Sequence, residues 1–264
     1  MALRILSAAV GIPIVLVANY LGGPLLDALV GLTALVAAME SARLVLPAGR
    51  RVYVVFVPAT VTASLIPAFS ARPQAAWVAL LVGASILVAA YELAPGIYSE
   101  RRGGWWLNLT PVLYVGVLLG FLLLLHRARH GPWWVFLVLV MTWAYDSGAL
   151  IAGSRFGRHP FMRHVSPKKT VEGVAGGLIL SGLAGLAGSR GVGITFWQGA
   201  ILGLLTGAAA QFGDLVESMM KRQAGVKDSG SVMPGHGGIL DRIDSLLLTG
   251  TLGYCAALLL GYAP

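Results

Sequence analysis

Apolar segments about 20 residues long follow one another along this chain, divided by short polar loops. That is the length at which an α-helix crosses a bilayer, where every backbone N–H and C=O must be satisfied inside the segment. The candidates are 4–22, 25–46, 52–70, 76–94, 109–126, 133–153, 171–188, 195–213 and 245–262. They predict an all-α, polytopic integral membrane protein with about nine transmembrane helices. Composition agrees: of 264 residues, 57% are hydrophobic and 11% charged, against roughly 25% charged in a soluble domain. No stretch is long and polar enough for a soluble domain. The first segment carries only Arg4, lacks a clear small-residue cleavage site and is followed by many more apolar segments, so it reads as a retained helix rather than a signal peptide.

The 19 basic residues set the orientation. With nine spans, 15 of them lie on the side of the N-terminus and 4 (Arg72, Arg127, Arg129 and Arg190) on the other. The positive-inside rule puts the 15 in the cytoplasm. The net charge of +8 is then explained by loops facing anionic lipid rather than by nucleic acid. The single cysteine, Cys255, excludes an intrachain disulfide and a metal site built on thiolates. Trp105, Trp106, Trp133 and Trp134 sit near segment ends, where interfacial anchors are expected.

Basic loops follow from topology, but clustered acids do not. Of 11 Asp and Glu residues, seven lie beyond residue 145: Asp146, Glu172, Asp214, Glu217, Asp228, Asp241 and Asp244. They border two polar loops, roughly 154–170 and 214–244, on the predicted cytoplasmic side. On a helix over 211–222, Asp214, Glu217, Ser218 and Lys221 share a face. Asp241 and Asp244 do the same at the start of the last helix. Between them lie Lys227, Asp228, His236 and a glycine-rich turn able to bring backbone N–H groups close to a ligand. Carboxylates without thiolates suit a hard cation such as Mg²⁺, and neighbouring Lys and Arg suit phosphate oxygens. Together they are the apparatus of phosphoryl or nucleotidyl transfer. No Walker A sequence is present, so the phosphates are not held in a P-loop.

The stretch SMMKRQAGVKDSGSVMPGHGGILDRID, Ser218 to Asp244, resembles the signature of the phosphatidate cytidylyltransferases, also called CDP-diacylglycerol synthases. Ser218, Lys221, Arg222, Lys227, Asp228, Gly230, Pro234, His236, Gly237, Gly238, Asp241, Arg242 and Asp244 occupy its fixed positions. A second stretch, Trp143 to Gly173, is similar to the family's other cytoplasmic region through its Asp-Ser, Gly-Arg and Ser-Pro-x-Lys-Thr-x-Glu-Gly elements, in a register that makes Lys169 rather than Lys168 the family lysine. The resemblance covers 143–245. Residues 1–142 match only in hydrophobicity, which divides the chain into 1–142, a scaffold with lipid access, and 143–264, a catalytic region. Glu40 and Glu92 lie near segment ends, where caps or ion pairs account for them.

The resemblance implies transfer of a cytidylyl group from CTP to phosphatidic acid, giving CDP-diacylglycerol and pyrophosphate. It implies Asp214, Asp241 and Asp244 as metal ligands in a two-cation centre, Mg²⁺ with a second ion that is divalent or monovalent. Asp214, Lys221, Asp241 and Asp244 are then the catalytic set. Ser166, Lys169, Thr170, Ser218, Arg222, Lys227, Asp228, His236 and Arg242 are the expected substrate contacts. Asp228 fits a metal ligand or a lysine partner, and His236 a pyrophosphate contact or closure of the turn. Thr170 and Glu172 also fit an ordinary helix start, as cap and as charge at the dipole's positive end. Asp146, inside an apolar segment, is a further functional candidate.

A site at the top of a membrane helix meets a lipid phosphate from one phase and CTP from the other. A prokaryotic plasma (inner) membrane, with the site on the cytoplasmic face, fits the compact chain. The resemblance implies a homodimer, while the small-residue helix faces fit packing within one chain equally well. The alternatives are a CTP-dependent polyprenol or phytol kinase, or a cytidylyltransferase for an ether-linked phosphatidate. From a different class, an ion-regulated transporter would show mid-span charges and repeat symmetry, and the sequence has little of either.

Overall fold

The computed structural model describes residues 2–45, 61, 65, 111–162, 165, 166, 168–232 and 237–263. These are mostly helical, with no β-strand among the described residues beyond an isolated bridge between Pro160 and Thr170. The helices are α1 (Ala2–Leu21), α2 (Gly23–Val45), a π-helical turn (Pro111–Val117) running into α3 (Leu118–His126), α4 (Gly131–Phe156), α5 (Val171–Val192), α6 (Phe196–Gln223) and α7 (Leu240–Leu259). Among the described residues, four stretches are long and apolar enough to cross a membrane: Gly23–Leu44, Gly131–Phe156, Val171–Val192 and Phe196–Arg222. The protein is an all-α integral membrane protein. Apart from residues 61 and 65, the spans expected at 52–70 and 76–94 lie outside the described residues.

Two compact units are present. The first comprises Met1–Leu124 and Gln223–Arg242, with Pro264; the second comprises Leu125–Arg222 and Ile243–Ala263. In the first, α1 and α2 meet at Gly22 and Gly23, both in the left-handed region at φ 61° and 55°. Glycine tolerates that conformation at no steric cost, so the chain reverses within two residues. The buried face of α2 is built from Ala34, Ala37, Ala38 and Ala42, whose small side chains let neighbouring backbone approach.

The second unit holds α4, α5, α6 and most of α7. Local chemistry starts and stops its helices. His130 takes φ 61° immediately before α4, and Pro132 stands in the first turn, where its missing N–H costs nothing. Thr170 caps α5 by accepting from Gly173 N at 3.1 Å. Gly193, at φ 81°, ends α5 and returns its N–H to the Arg190 carbonyl. A capping box opens α6: Gln198 N donates to Thr195 Oγ1 at 3.3 Å and Thr195 N to Gln198 Oε1 at 2.9 Å.

Between α5 and α6 the packing is close enough to require glycine. A Cβ on Gly185 would overlap the Gly199 carbonyl, and one on Gly203 would overlap that of Ser181. Ser181 Oγ uses the proximity to donate to Gly203 O at 2.7 Å. Other interhelical bonds complete the bundle: Tyr145 OH to Gln211 Oε1 at 2.6 Å, Thr142 Oγ1 to Thr249 Oγ1 at 3.0 Å, and Ser245 Oγ to Ala210 O at 3.2 Å. In bilayers such bonds contribute about 0.6 kcal/mol each on average, so they fix registry more than they supply stability.

One expectation is corrected. Trp134 is no interfacial anchor: it is fully buried against Tyr262, ring centroids 5.7 Å apart, while Trp133 is exposed. Trp105 and Trp106 lie outside the described residues. The apolar segment expected at 195–213 and the polar helix read over 211–222 are one continuous helix, α6, ending at Gln223.

Candidate active site

In the second unit, the loop between α4 and α5 is folded back on itself before it delivers any side chain. Phe161 N donates to Lys169 O at 2.7 Å and Val171 N to His159 O at 2.9 Å. Glu172, in the first turn of α5, accepts from Arg158 N at 3.1 Å and meets His159 Nδ1 at 2.6 Å. A carboxylate there also favours the positive end of the α5 dipole. Ser166 closes a turn, with its carbonyl accepting from Lys169 N at 3.2 Å.

The brace has a consequence for Lys169, whose ammonium reaches Asp214 Oδ2 on α6 at 2.7 Å. Lys168, its neighbour, is exposed. Ser218, one turn beyond Asp214, donates to its other oxygen at 3.1 Å. Further along the same face, Lys221 pairs with Glu217 at 2.5 Å; Glu217 is 1% exposed. Arg222 Nε donates to Val165 O at 3.3 Å. A lysine from one polar loop therefore meets a carboxylate on the polar end of α6, a carboxylate that also accepts from Ser218 and lies on the face carrying the Lys221–Glu217 pair.

Asp244 joins this set from α7. Gly213 allows it: a Cβ there would overlap the Asp244 carbonyl oxygen. Asp244 is buried, and its Oδ1 accepts from Ser245 N at 2.7 Å. It stands in the negative fields of Asp214 and Asp146, with the positive field of Lys221 opposing them. Asp146 itself is exposed on α4.

In the first unit, the turn leading into α7 is organised around Asp241. Its Oδ2 accepts from Ser229 N at 3.0 Å, Ser229 Oγ at 2.9 Å and Gly238 N at 2.8 Å. Gly237 takes φ 84°, a conformation L side chains rarely adopt, and a Cβ there would also crowd Asp241 Oδ2 at 2.7 Å. Asp241 thus carries a structural burden that spacing alone did not reveal. Lys227, Asp228 and Arg242 are exposed. His236 lies outside the described residues. Glu40 also reaches this turn.

The donor set is carboxylate, hydroxyl and carbonyl oxygen, which fits a hard cation. Among the described residues no three His, Cys, Asp or Glu side chains form a metal-holding group. A cation at Asp214 and Asp244 would therefore rest on one or two carboxylates, with phosphate oxygens and water completing its shell. That is the ordinary way Mg²⁺ is held. The residues fit such an ion.

Beyond the expected set, sequence reading missed Ser229 and the His159–Glu172 brace. These depend on contacts 12 and 13 residues apart in sequence, which no spacing rule anticipates.

A family model described as the cytidylyltransferase family matches residues 2–260. The chain is 34% identical over 287 residues to a phosphatidate cytidylyltransferase of Synechocystis sp., covering 97% of this chain and 96% of the relative. It is 32% identical over 254 residues to one from Staphylococcus aureus, covering 94% and 95%. To one from Staphylococcus saprophyticus it is 42% identical over 141 residues, covering 53% and 54%.

Proposed function

Because the chain belongs to the cytidylyltransferase family, we propose that it joins CTP to phosphatidic acid, forming CDP-diacylglycerol and releasing pyrophosphate. The observation that carries this reading is the Lys169–Asp214–Ser218 contact. It brings together the two stretches in which phosphate-binding and cation-binding residues were expected.

In the reaction, an oxygen of the lipid phosphate bonds to the α-phosphorus of CTP while the bond from that phosphorus to the bridging oxygen breaks. Pyrophosphate carries away the electron pair. The nucleophile is already an anion, so no strong base is required, and the barrier is chiefly charge repulsion. Lys169 and Lys221 supply positive charge beside the acidic face of α6, where the phosphates would lie. When bound at Asp214 and Asp244, Mg²⁺ would neutralise triphosphate charge and polarise the leaving group. Ser218 orients Asp214, and Arg222 is placed at the exposed end of the same helix. Ser166 and Thr170 hold the loop that aims Lys169, and Thr170 does so through the α5 cap. Lys227, Asp228, His236 and Arg242 are further substrate contacts in this reading. Asp241, in this reading a third metal ligand and a member of the catalytic set, also fixes the glycine turn through the bonds from Ser229 and Gly238. A second ion, divalent or monovalent, a homodimer, and a prokaryotic inner membrane with the site facing the cytoplasm belong to the same proposal.

The test incubates the purified protein with phosphatidic acid, labelled CTP and Mg²⁺, following lipid-phase label and pyrophosphate together. Equimolar appearance of both, lost in Asp214→Asn, supports the reading. Label released as CDP with an alcohol lipid would establish a kinase instead. Absence of both products in folded protein, across several lipid phosphates, would overturn the proposal.

A further inference from the structure

Glu40 lies near the end of α2, in the apolar stretch Gly23–Leu44, and is only 2% exposed. An ionisable group buried in such a segment is costly and persists where its partners compensate for it. Its partners lie about 200 positions further along the chain. Oε1 accepts from Ile239 N at 3.1 Å, and Oε2 accepts from Leu240 N at 2.8 Å and from Ser229 Oγ at 3.2 Å. The backbone N–H groups that open a helix have no acceptor within it. Glu40 supplies one from another helix, and places its charge where the α7 dipole favours an anion.

The surroundings are shaped for this carboxylate. A Cβ on Gly230 would overlap Glu40 Oε1, and one on Gly238 would overlap Ser229 Oγ and Glu40 Oε2. Ser229 Oγ lies within hydrogen-bonding distance of Glu40 Oε2 and of Asp241 Oδ2. Two carboxylates, one from α2 and one from α7, therefore clamp the turn between them. Glutamine cannot reproduce the contact: its amide nitrogen would turn a donor toward backbone N–H groups that are themselves donors.

We infer that Glu40 is a positioning residue for the reaction, holding the entrance of α7 and with it the helical turn that carries Asp241 and Asp244. The inference rests on the cytidylyl-transfer reading above for its kinetic consequence, though not for its structural one.

The experiment uses full-length protein in nanodiscs, as wild type, Glu40→Gln, Glu40→Ala and Gly230→Ala. It measures kcat, the KM for CTP, and amide hydrogen exchange. For Glu40→Ala, kcat falls by about tenfold or more while KM for CTP stays within about threefold, with Glu40→Gln in between. Exchange rises in peptides covering 238–243 and is unchanged in peptides from α4, α5 and α6. Gly230→Ala leaves Glu40 in place but takes its space, so it moves both readouts the same way and serves if Glu40→Ala does not fold. Wild-type kcat in the Glu40 and Gly230 variants, or unchanged exchange at 238–243, overturns the inference. So does a uniform rise in exchange through every helix, which is general destabilisation. If wild type makes no CDP-diacylglycerol, the functional reading has failed and the exchange data alone decide whether Glu40 caps α7.

Discussion

Gly213→Ala adds one methyl group and should disable the site while leaving the fold in place. A Cβ at Gly213 would overlap the Asp244 carbonyl oxygen and stand 3.0 Å from both Asp244 C and Ser245 Cα. These are backbone atoms, so no side-chain rotation relieves the contact. Ordinary van der Waals contact begins at 3.4 Å, which requires α7 to move by about 0.5–1 Å against α6. Overpacking of this kind costs about 1–3 kcal/mol, and alanine's better helix propensity returns about 1 kcal/mol. The net loss of about 0–2 kcal/mol leaves a folded protein. Catalysis is less forgiving, because a shift near 1 Å in reacting groups costs on the order of 100-fold. Asp244 moves relative to Asp214, so kcat for CDP-diacylglycerol formation should drop by about 10- to 100-fold. Gly11→Ala is the control, since a Cβ there meets nothing within 4 Å. The assay is pyrophosphate release at saturating CTP, beside a thermal melt in the same detergent. A folded Gly213→Ala protein with activity within about twofold of wild type would refute the idea that the α6–α7 approach sets the site.

Two further outcomes separate stability from chemistry. Lys169→Met removes a partly exposed ion pair, worth within about 1 kcal/mol to the fold, so the melting temperature barely changes while kcat/KM for CTP falls by about 100-fold; an equal loss in both would mean the lysine is structural. Thr170→Ala removes the α5 cap and should cost about 1 kcal/mol, read as a lower melting temperature with a smaller loss of activity than Lys169→Met.

Much of the architecture was legible in the residues. Hydrophobicity is a local, additive property, so run length alone marked the α1, α2 and α4–α7 segments and predicted a membrane protein. The capping residue Thr170 was legible because capping spans only three residues. The Asp214, Ser218 and Lys221 face was legible because helical spacing determines it. The pairing of Lys221 with Glu217 follows from the same i, i+4 geometry.

What tertiary structure alone decided is where separate helices touch. That Lys169 chooses Asp214 depends on a braced loop meeting α6. That Asp244 stands in the field of Asp214 depends on the absence of one side-chain carbon at Gly213. That Glu40 on α2 caps a helix 200 residues away depends on a turn whose glycines make room for it. No sequence window contains both members of these pairs, and the short range of hydrogen bonds and steric contact means that only the folded chain selects them. Residue order therefore determined which segments cross the membrane and which chemistry they carry, whereas close packing at a few glycines decided which charges meet.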